Sequence, residues 1–320
     1  MVAKWIAAIV VLSSCCGAAC AQGFPVKPIR IVVPSIAGSA PDVRVRQIAL
    51  KLNEAVGQPV IVENRPGANG AIATQFAAKA PPDGYVVFFG LINNALNDLL
   101  HPTSCCRLNQ ELTPIVHFTL TPLVIVVHPS LPAKTLQQYL QLAKSQPAVL
   151  TYASAGPGSI TQLLGEWVRW KSGARILEVP YKSVGAELPD LLGGHVMTAY
   201  LNPIVVADYV QSGKLRGLAI TGGKRLPIIA EVPTTAEAGL AEIQASVWNG
   251  FFVPAGTPRP IIDALNREFV RTFDAAEVRE QVTANGGQIV GGRPEQFAEF
   301  IRAESAKWAN VMRDAGVKAE

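Results

Sequence analysis

The sequence predicts an α/β chain of two lobes, each a mixed, mostly parallel sheet flanked by helices, with two crossing strands as a hinge. Three observations predict this. Short β-branched runs alternate with amphipathic helical stretches at the spacing of βαβ units, which make parallel sheets covered on both faces. Turns rich in glycine and small hydroxyl residues follow several of the strands, where open α/β sheets bind ligands. The length, 320 residues of which 49% are hydrophobic and 16% charged, fills more than one compact core.

Residues 1–21 stand apart. Lys4 gives a positive start, 5–12 a short apolar run, and Ala19-Cys20-Ala21 a small-residue cleavage pattern. That predicts an export signal cut before Gln22, too short for a membrane anchor, and hence a mature protein that is soluble and outside the cytoplasm. Leu12-Ser13-Ser14-Cys15 also resembles a lipoprotein box, which would leave a lipid anchor on Cys15.

The first core strand is expected at 29–33, followed by a loop and a helix capped by Asp42. That helix turns Val45, Ile48, Ala49, Leu52 and Val56 inward and stops at Gly57. A strand at 60–62 leads into Glu63-Asn64-Arg65-Pro66-Gly67-Ala68-Asn69-Gly70 and a helix with Ile72, Phe76 and Ala77 on one face. A third strand spans 85–89, and a short helix opens at Asn93-Asn94. Residues 101–111 read as irregular, and 122–127 as a long apolar strand. A helix follows over 136–145, then strands at 149–153, 175–179, 196–201 and 215–221, with helices between them. Val247-Trp248-Asn249-Gly250-Phe251-Phe252-Val253 reads as a strand crossing back, followed by helices over 259–273 and 277–285 and a strand at 288–290. A last helix from Pro294 buries Phe297, Phe300, Ile301, Trp308, Val311 and Met312. Residues 22–122 and 250–320 form lobe 1 and 123–249 form lobe 2, with crossings near 121–123 and 248–250.

One turn stands out chemically, Ser154-Ala155-Gly156-Pro157-Gly158-Ser159, between a buried strand and a helix with Ile160, Leu163, Leu164 and Trp167 on one face. Gly156 and Gly158 let the backbone bend tightly, and a helix start offers free N–H groups and partial positive charge. Two readings stand side by side: a cradle for a carboxylate, or a well-capped turn with nothing bound.

Other chemistry finds little support. Thr161 occupies the third glycine position of a dinucleotide fingerprint, Gly222-Gly223-Lys224 lacks Walker spacing, and Ser159 is in no nucleophile elbow. His195 is expected in an exposed turn, and Lys182 as a solvated cation. The four histidines show no ligand spacing, so no metal site, cofactor or catalytic residue is expected. The balance of 28 basic and 24 acidic residues (28 − 24 = +4) has no basic run, which argues against nucleic acid. Signal cleavage would remove three of five cysteines, leaving the adjacent Cys105 and Cys106 as free thiols or a strained vicinal pair.

Several blocks resemble the Bug-type (TctC-like) solute receptors of tripartite tricarboxylate transporters. They are Pro28-Ile29-Arg30-Ile31-Val32-Val33-Pro34, Gly57-Gln58-Pro59-Val60-Ile61-Val62-Glu63-Asn64-Arg65-Pro66-Gly67-Ala68 and Pro82-Asp83-Gly84-Tyr85. Further along come Tyr152-Ala153-Ser154-Ala155-Gly156, Val179-Pro180-Tyr181-Lys182, Asp190-Leu191-Leu192-Gly193-Gly194, Gly213-Lys214-Leu215-Arg216 and Val232-Pro233-Thr234. The likeness spans nearly the whole chain after the signal.

The resemblance implies a type II periplasmic binding protein, monomeric and not an enzyme. Such a protein grips a small organic acid between its lobes and delivers it to integral-membrane transporter subunits. Carried over position by position, it implies ligand contacts at Ile36, Ala37, Ser39, Ala40, Ala68, Asn69 and Asn93 of lobe 1. On lobe 2 it implies Ser154, Gly158, Ser159, Tyr200 and Asn202, with Gly38, Asp42 and Gly156 shaping the loops. Leu201 stands where many members carry an acid that selects an amino group, so the expected ligand is a mono- or dicarboxylate, plain or aromatic, with no required ammonium. The rival reading is a same-fold ligand sensor partnering a two-component signalling protein; an α/β enzyme is a distant third.

Overall fold

The computed structural model describes residues 23–103, 107–145, 150–182 and 184–317. The export signal, the lipid site at Cys15 and the Cys105–Cys106 pair therefore lie outside the described residues.

Lobe 1 begins with β1 (Ile29–Val33), whose near-continuous burial is that of a central parallel strand. Helix α1 (Ala40–Val56) buries Val45, Ile48, Ala49 and Leu52 at three- and four-residue steps and ends where Gly57 turns left-handed. Asp42 is not its cap. Ser39 stands at the N-cap position, and Asp42 lies buried in the first turn. Then come β2 (Val60–Asn64), α2 (Ala71–Ala78), β3 (Val86–Leu91) and α3 (Ile92–Leu100). Ile72 of α2 faces outward, because the helix packs through the smaller Ala73 and Ala77.

A short α4 (Leu108–Glu111) then leads into β4 (Leu112–Pro122). Sequence reading missed this eleven-residue strand, since Pro114 interrupts its β-branched run. It pairs antiparallel with neighbours on both sides. One of them, the four-residue strand Gln288–Gly291, ends the sheet.

Lobe 2 follows as β5 (Val124–Val127), α5 (Leu136–Ser145), β6 (Thr151–Ser154), α6 (Ile160–Ser172), β7 (Leu177–Pro180), α7 (Val184–Leu192), β8 (Thr198–Leu201), α8 (Pro203–Gln211) and β9 (Arg216–Ile220). The chain returns through β10 (Ser246–Pro254), α9 (Arg259–Phe273), α10 (Ala276–Ala284), β11 (Gln288–Gly291) and α11 (Pro294–Ala315). The strand orders are β11-β4-β10-β3-β1-β2 and β7-β6-β8-β5-β9. In each sheet a parallel set (β1, β2 and β3; β6, β7 and β8) meets antiparallel partners at the hinge side.

The crossings run side by side. β4 leaves the first sheet at Pro122, and β10 enters it at Ser246, directly opposite. Thr221 pins both, donating to the Ala245 carbonyl at 2.5 Å and accepting from the Leu123 N–H at 2.9 Å. The return crossing is thus at 245–246 and not at 248–250, because Trp248 and Asn249 already pair with Leu120 and Thr119 of β4. The return segment also touches lobe 2: Trp308 of α11 meets Trp167 of α6 edge-on at 5.6 Å.

One buried group sets a pH dependence. Glu187 of α7 is 1% exposed, its Oε2 has no hydrogen-bond partner among the described residues, and burial pushes its carboxyl up to about 7. The folded state then holds a proton that the unfolded chain has lost, so wild-type stability falls as pH rises from 4.5 to 7. Glu187→Gln is expected to gain about 3 kcal/mol at pH 8, most of it gone by pH 5. Urea melts at both pH values check this; an equal difference at both would contradict it.

Candidate functional site

Four helices begin at the carboxyl ends of the parallel strands: α1 after β1, α3 after β3, α6 after β6 and α8 after β8. Their first turns open onto one cavity of about 350 Å³ between the lobes. Lobe 1 supplies Ala40, Pro41 and Arg44 of α1 and Ile92 and Asn93 of α3, with Phe89 behind them. Lobe 2 supplies Ser159, Ile160 and Thr161 of α6 and Asn202, Ile204 and Val205 at the start of α8, with Tyr200 and Leu201 of β8. The hinge side is closed by Thr121, Leu123, Val247 and Asn249, and Asn285 reaches in from the end of α10.

First-turn N–H groups lack partners within their own helix, and each helix start carries partial positive charge. Four of them around one space favour an anion. The wall is otherwise largely apolar and contains no aspartate or glutamate. Among the described residues two polar atoms there have no partner: the Asn93 Oδ1 and the hydroxyl of Tyr200, a residue at 0% exposure. Asn249 accepts from Thr119 at 3.0 Å through its carboxamide oxygen, leaving its amide N–H groups uncommitted.

The first loop is held from behind. Asp42 accepts from the Gly38 N–H and the Asn64 amide, both at 2.8 Å, and from Arg46 at 3.0 Å. The Arg46 guanidinium beside it and these donors hold its carboxyl down at about 2 despite burial. Asn64 also donates to the Ser35 carbonyl. It fastens the loop, while Arg65 is tied to Glu63 and lies over the Phe76 ring at 3.5 Å.

The Gly156–Gly158 turn is also occupied internally. Both glycines have positive φ, 88° and 74°. The Gly156 N–H donates to Ser154 Oγ, the Ala155 N–H to Thr161 Oγ1 and the Gly158 N–H to Gln162 Oε1. Ser154 in turn donates to Glu178 at 2.6 Å and is fully buried. Ser159 caps α6 by accepting the Gln162 N–H.

Of the residues expected to meet ligand, Ala40, Asn93, Ser159, Tyr200 and Asn202 come together in the cavity wall, as does Leu201. Asn69 and Gly158 are outside that wall; Asn69 donates across the lobes to the Pro157 carbonyl at 3.2 Å. Ala68 and Asn69 both hold left-handed backbone (φ 46° and 48°), which L-residues adopt at a cost. Ile36, Ala37, Ser39, Ala68 and Ser154 do not line the cavity. Ile36 is 65% exposed, and Ser39 donates to the Ile36 carbonyl at 2.6 Å. His195 and Lys182 are exposed surface groups.

Sequence reasoning missed Arg44, Thr161, Asn249 and Asn285. Arg44 was legible, since it follows Ala40 by four residues on a helix and so shares its face. Asn249 and Asn285 arrive by the return of the chain, which no local pattern announces.

Residues 44–317 match the family model described as the tripartite tricarboxylate transporter family receptor, TctC. The chain belongs to this TctC family. It is a family of solute receptors, not of enzymes. BugT of Bordetella pertussis is 35% identical over 300 residues, 93% of this chain and 92% of BugT. Among solved structures, one described as a periplasmic transporter has a TM-score of 0.82 at 31% identity, covering 93% of this chain and all of that one. A Rhodopseudomonas palustris protein solved with adipate has a TM-score of 0.81 at 31% identity, over 92% and 98% of the two chains. MatC from the same organism, with bound malate, reaches 0.78 at 29% identity, over 90% and 99%. This chain shares the two-lobed periplasmic binding protein architecture with these structures. No helix among the described residues is long and apolar enough to cross a membrane.

Proposed function

We propose that this chain is a periplasmic receptor that closes on a small organic carboxylate and hands it to the membrane subunits of a tripartite tricarboxylate-type transporter. The observation that carries this reading is the convergence of four helix N-termini, two from each lobe, on a cavity whose wall holds no acidic side chain. An anion there touches both lobes, so occupancy favours the closed form. The adipate and malate in the two relatives are small carboxylates of a size that suits such a space. With Leu201 in the wall and no carboxylate beside it, nothing is placed to receive an ammonium.

A thermal-shift screen, followed by calorimetry, tests this on the mature protein. Adipate, malate and benzoate form one arm, glutamate and aspartate the other. At least one plain acid is expected to raise Tm, with affinity of about −8 to −12 kcal/mol, while the amino acids leave it unchanged. Tight binding of the amino acids alone, or no shift with any acid, would sink the reading.

A further inference from the structure

Among the described residues Arg44 is the one charged group in the cavity wall. Three other arginines of lobe 1 are committed elsewhere. Arg46 is bound to Asp42 and Asn64, and Arg30 and Arg65 share Glu63. The half-buried Arg44 guanidinium has no carboxylate within ion-pair distance and no hydrogen bond among the described residues. Its surroundings withdraw water, which pulls its pKa down, yet a guanidinium does not give up its proton in a protein. A desolvated cation left without a partner is costly, and buried charges are ordinarily paired. The rest of the wall cannot neutralise it, because its other polar side chains are all neutral amides and hydroxyls, Tyr200 and Asn285 among them.

We infer that Arg44 is a specificity-determining residue of this cleft, pairing through its guanidinium with a carboxylate of the bound solute. This rests on the receptor reading above and adds to it the group that distinguishes an anion from a neutral solute of the same shape. The planar fork of N–H donors matches a carboxylate edge with two parallel hydrogen bonds, which a lysine ammonium cannot reproduce. It also repels an ammonium, so it acts together with Leu201 against amino acids. Arg44 sits in the second turn of α1, whose start is fixed by the Asp42 network, so the cation is presented by a rigid element.

The test compares adipate with its uncharged diamide, adipamide, by calorimetry on wild-type protein, Arg44→Gln and Arg44→Lys. Wild type is expected to prefer adipate by about 100-fold or more. Arg44→Gln should lose adipate affinity by about 10- to 100-fold, leave adipamide within about threefold, and show a Tm without ligand no lower than that of wild type. Arg44→Lys should fall between the two. Equal wild-type affinities for acid and diamide, unchanged adipate binding in Arg44→Gln, or an equal loss of both ligands would overturn the assignment. Wild-type protein that binds other carboxylates in the screen while Arg44→Gln behaves identically sinks this inference alone. Failure of every carboxylate on wild type sinks the receptor reading itself.

Discussion

Replacing Asp42 by alanine is expected to cost about 3 kcal/mol of folding stability and to weaken solute binding with it. The side chain is 1% exposed, and its carboxylate takes hydrogen bonds from the Gly38 N–H, the Asn64 amide and Arg46. Alanine leaves those donors facing each other with no acceptor. The expected magnitude lies at the lower end for a broken buried ion pair, because the Arg46 side chain is 51% exposed and water re-solvates it. Binding suffers because the same contacts hold the loop from Ser35 to Ser39 against the start of α1, and so place Ala40, Pro41 and Arg44 in the wall. The pH sense is fixed as well. Asp42 has a folded pKa of about 2, below its ordinary value, so its contribution is complete above about pH 4 and is lost as pH falls toward 2. Denaturant melts at pH 7 and calorimetry check both effects. A stability loss under 1 kcal/mol would show that the network is dispensable.

Trp308→Ala is expected to have a still larger effect on stability, about 4 kcal/mol. The indole is 1% exposed, its N–H donates to Glu304 at 3.1 Å, and its edge packs on Trp167 of the opposite lobe. Removing it opens a cavity at the place where α11 bridges the lobes. The two tryptophans should therefore couple. Trp167→Ala and Trp308→Ala together are expected to cost less than the sum of the single changes by about 0.5–1.5 kcal/mol, measured by urea denaturation. Strict additivity would mean that the contact does not tie the lobes together.

Local pattern made much of the fold legible. The helix Arg259–Phe273 and the strand Ile29–Val33 lie where their apolar spacing placed them, and Ser159 caps its helix as a hydroxyl before an apolar stripe should. What was not legible has two physical causes. β4 hides because its register is set by β10, over a hundred residues away, and because Pro114 breaks its sequence signal. Asn285 is invisible as a cleft residue because only the return of the chain carries it there. The glycine turn shows a third limit. Its sequence reads as an anion cradle, yet Ser154, Thr161 and Gln162 already take three of its N–H groups. The groups left for an anion include the helix first turns, the Asn249 amide, the Tyr200 hydroxyl and Arg44.

A crystal structure of the protein grown with adipate tests the central claim most directly. The account predicts a carboxylate inside the cleft, against the first turns of the converging helices, with Asn202 and Ser159 on one side and Arg44 on the other. Adipate bound elsewhere, or a cleft holding only solvent at saturating adipate and with every acid that raises Tm, would contradict it.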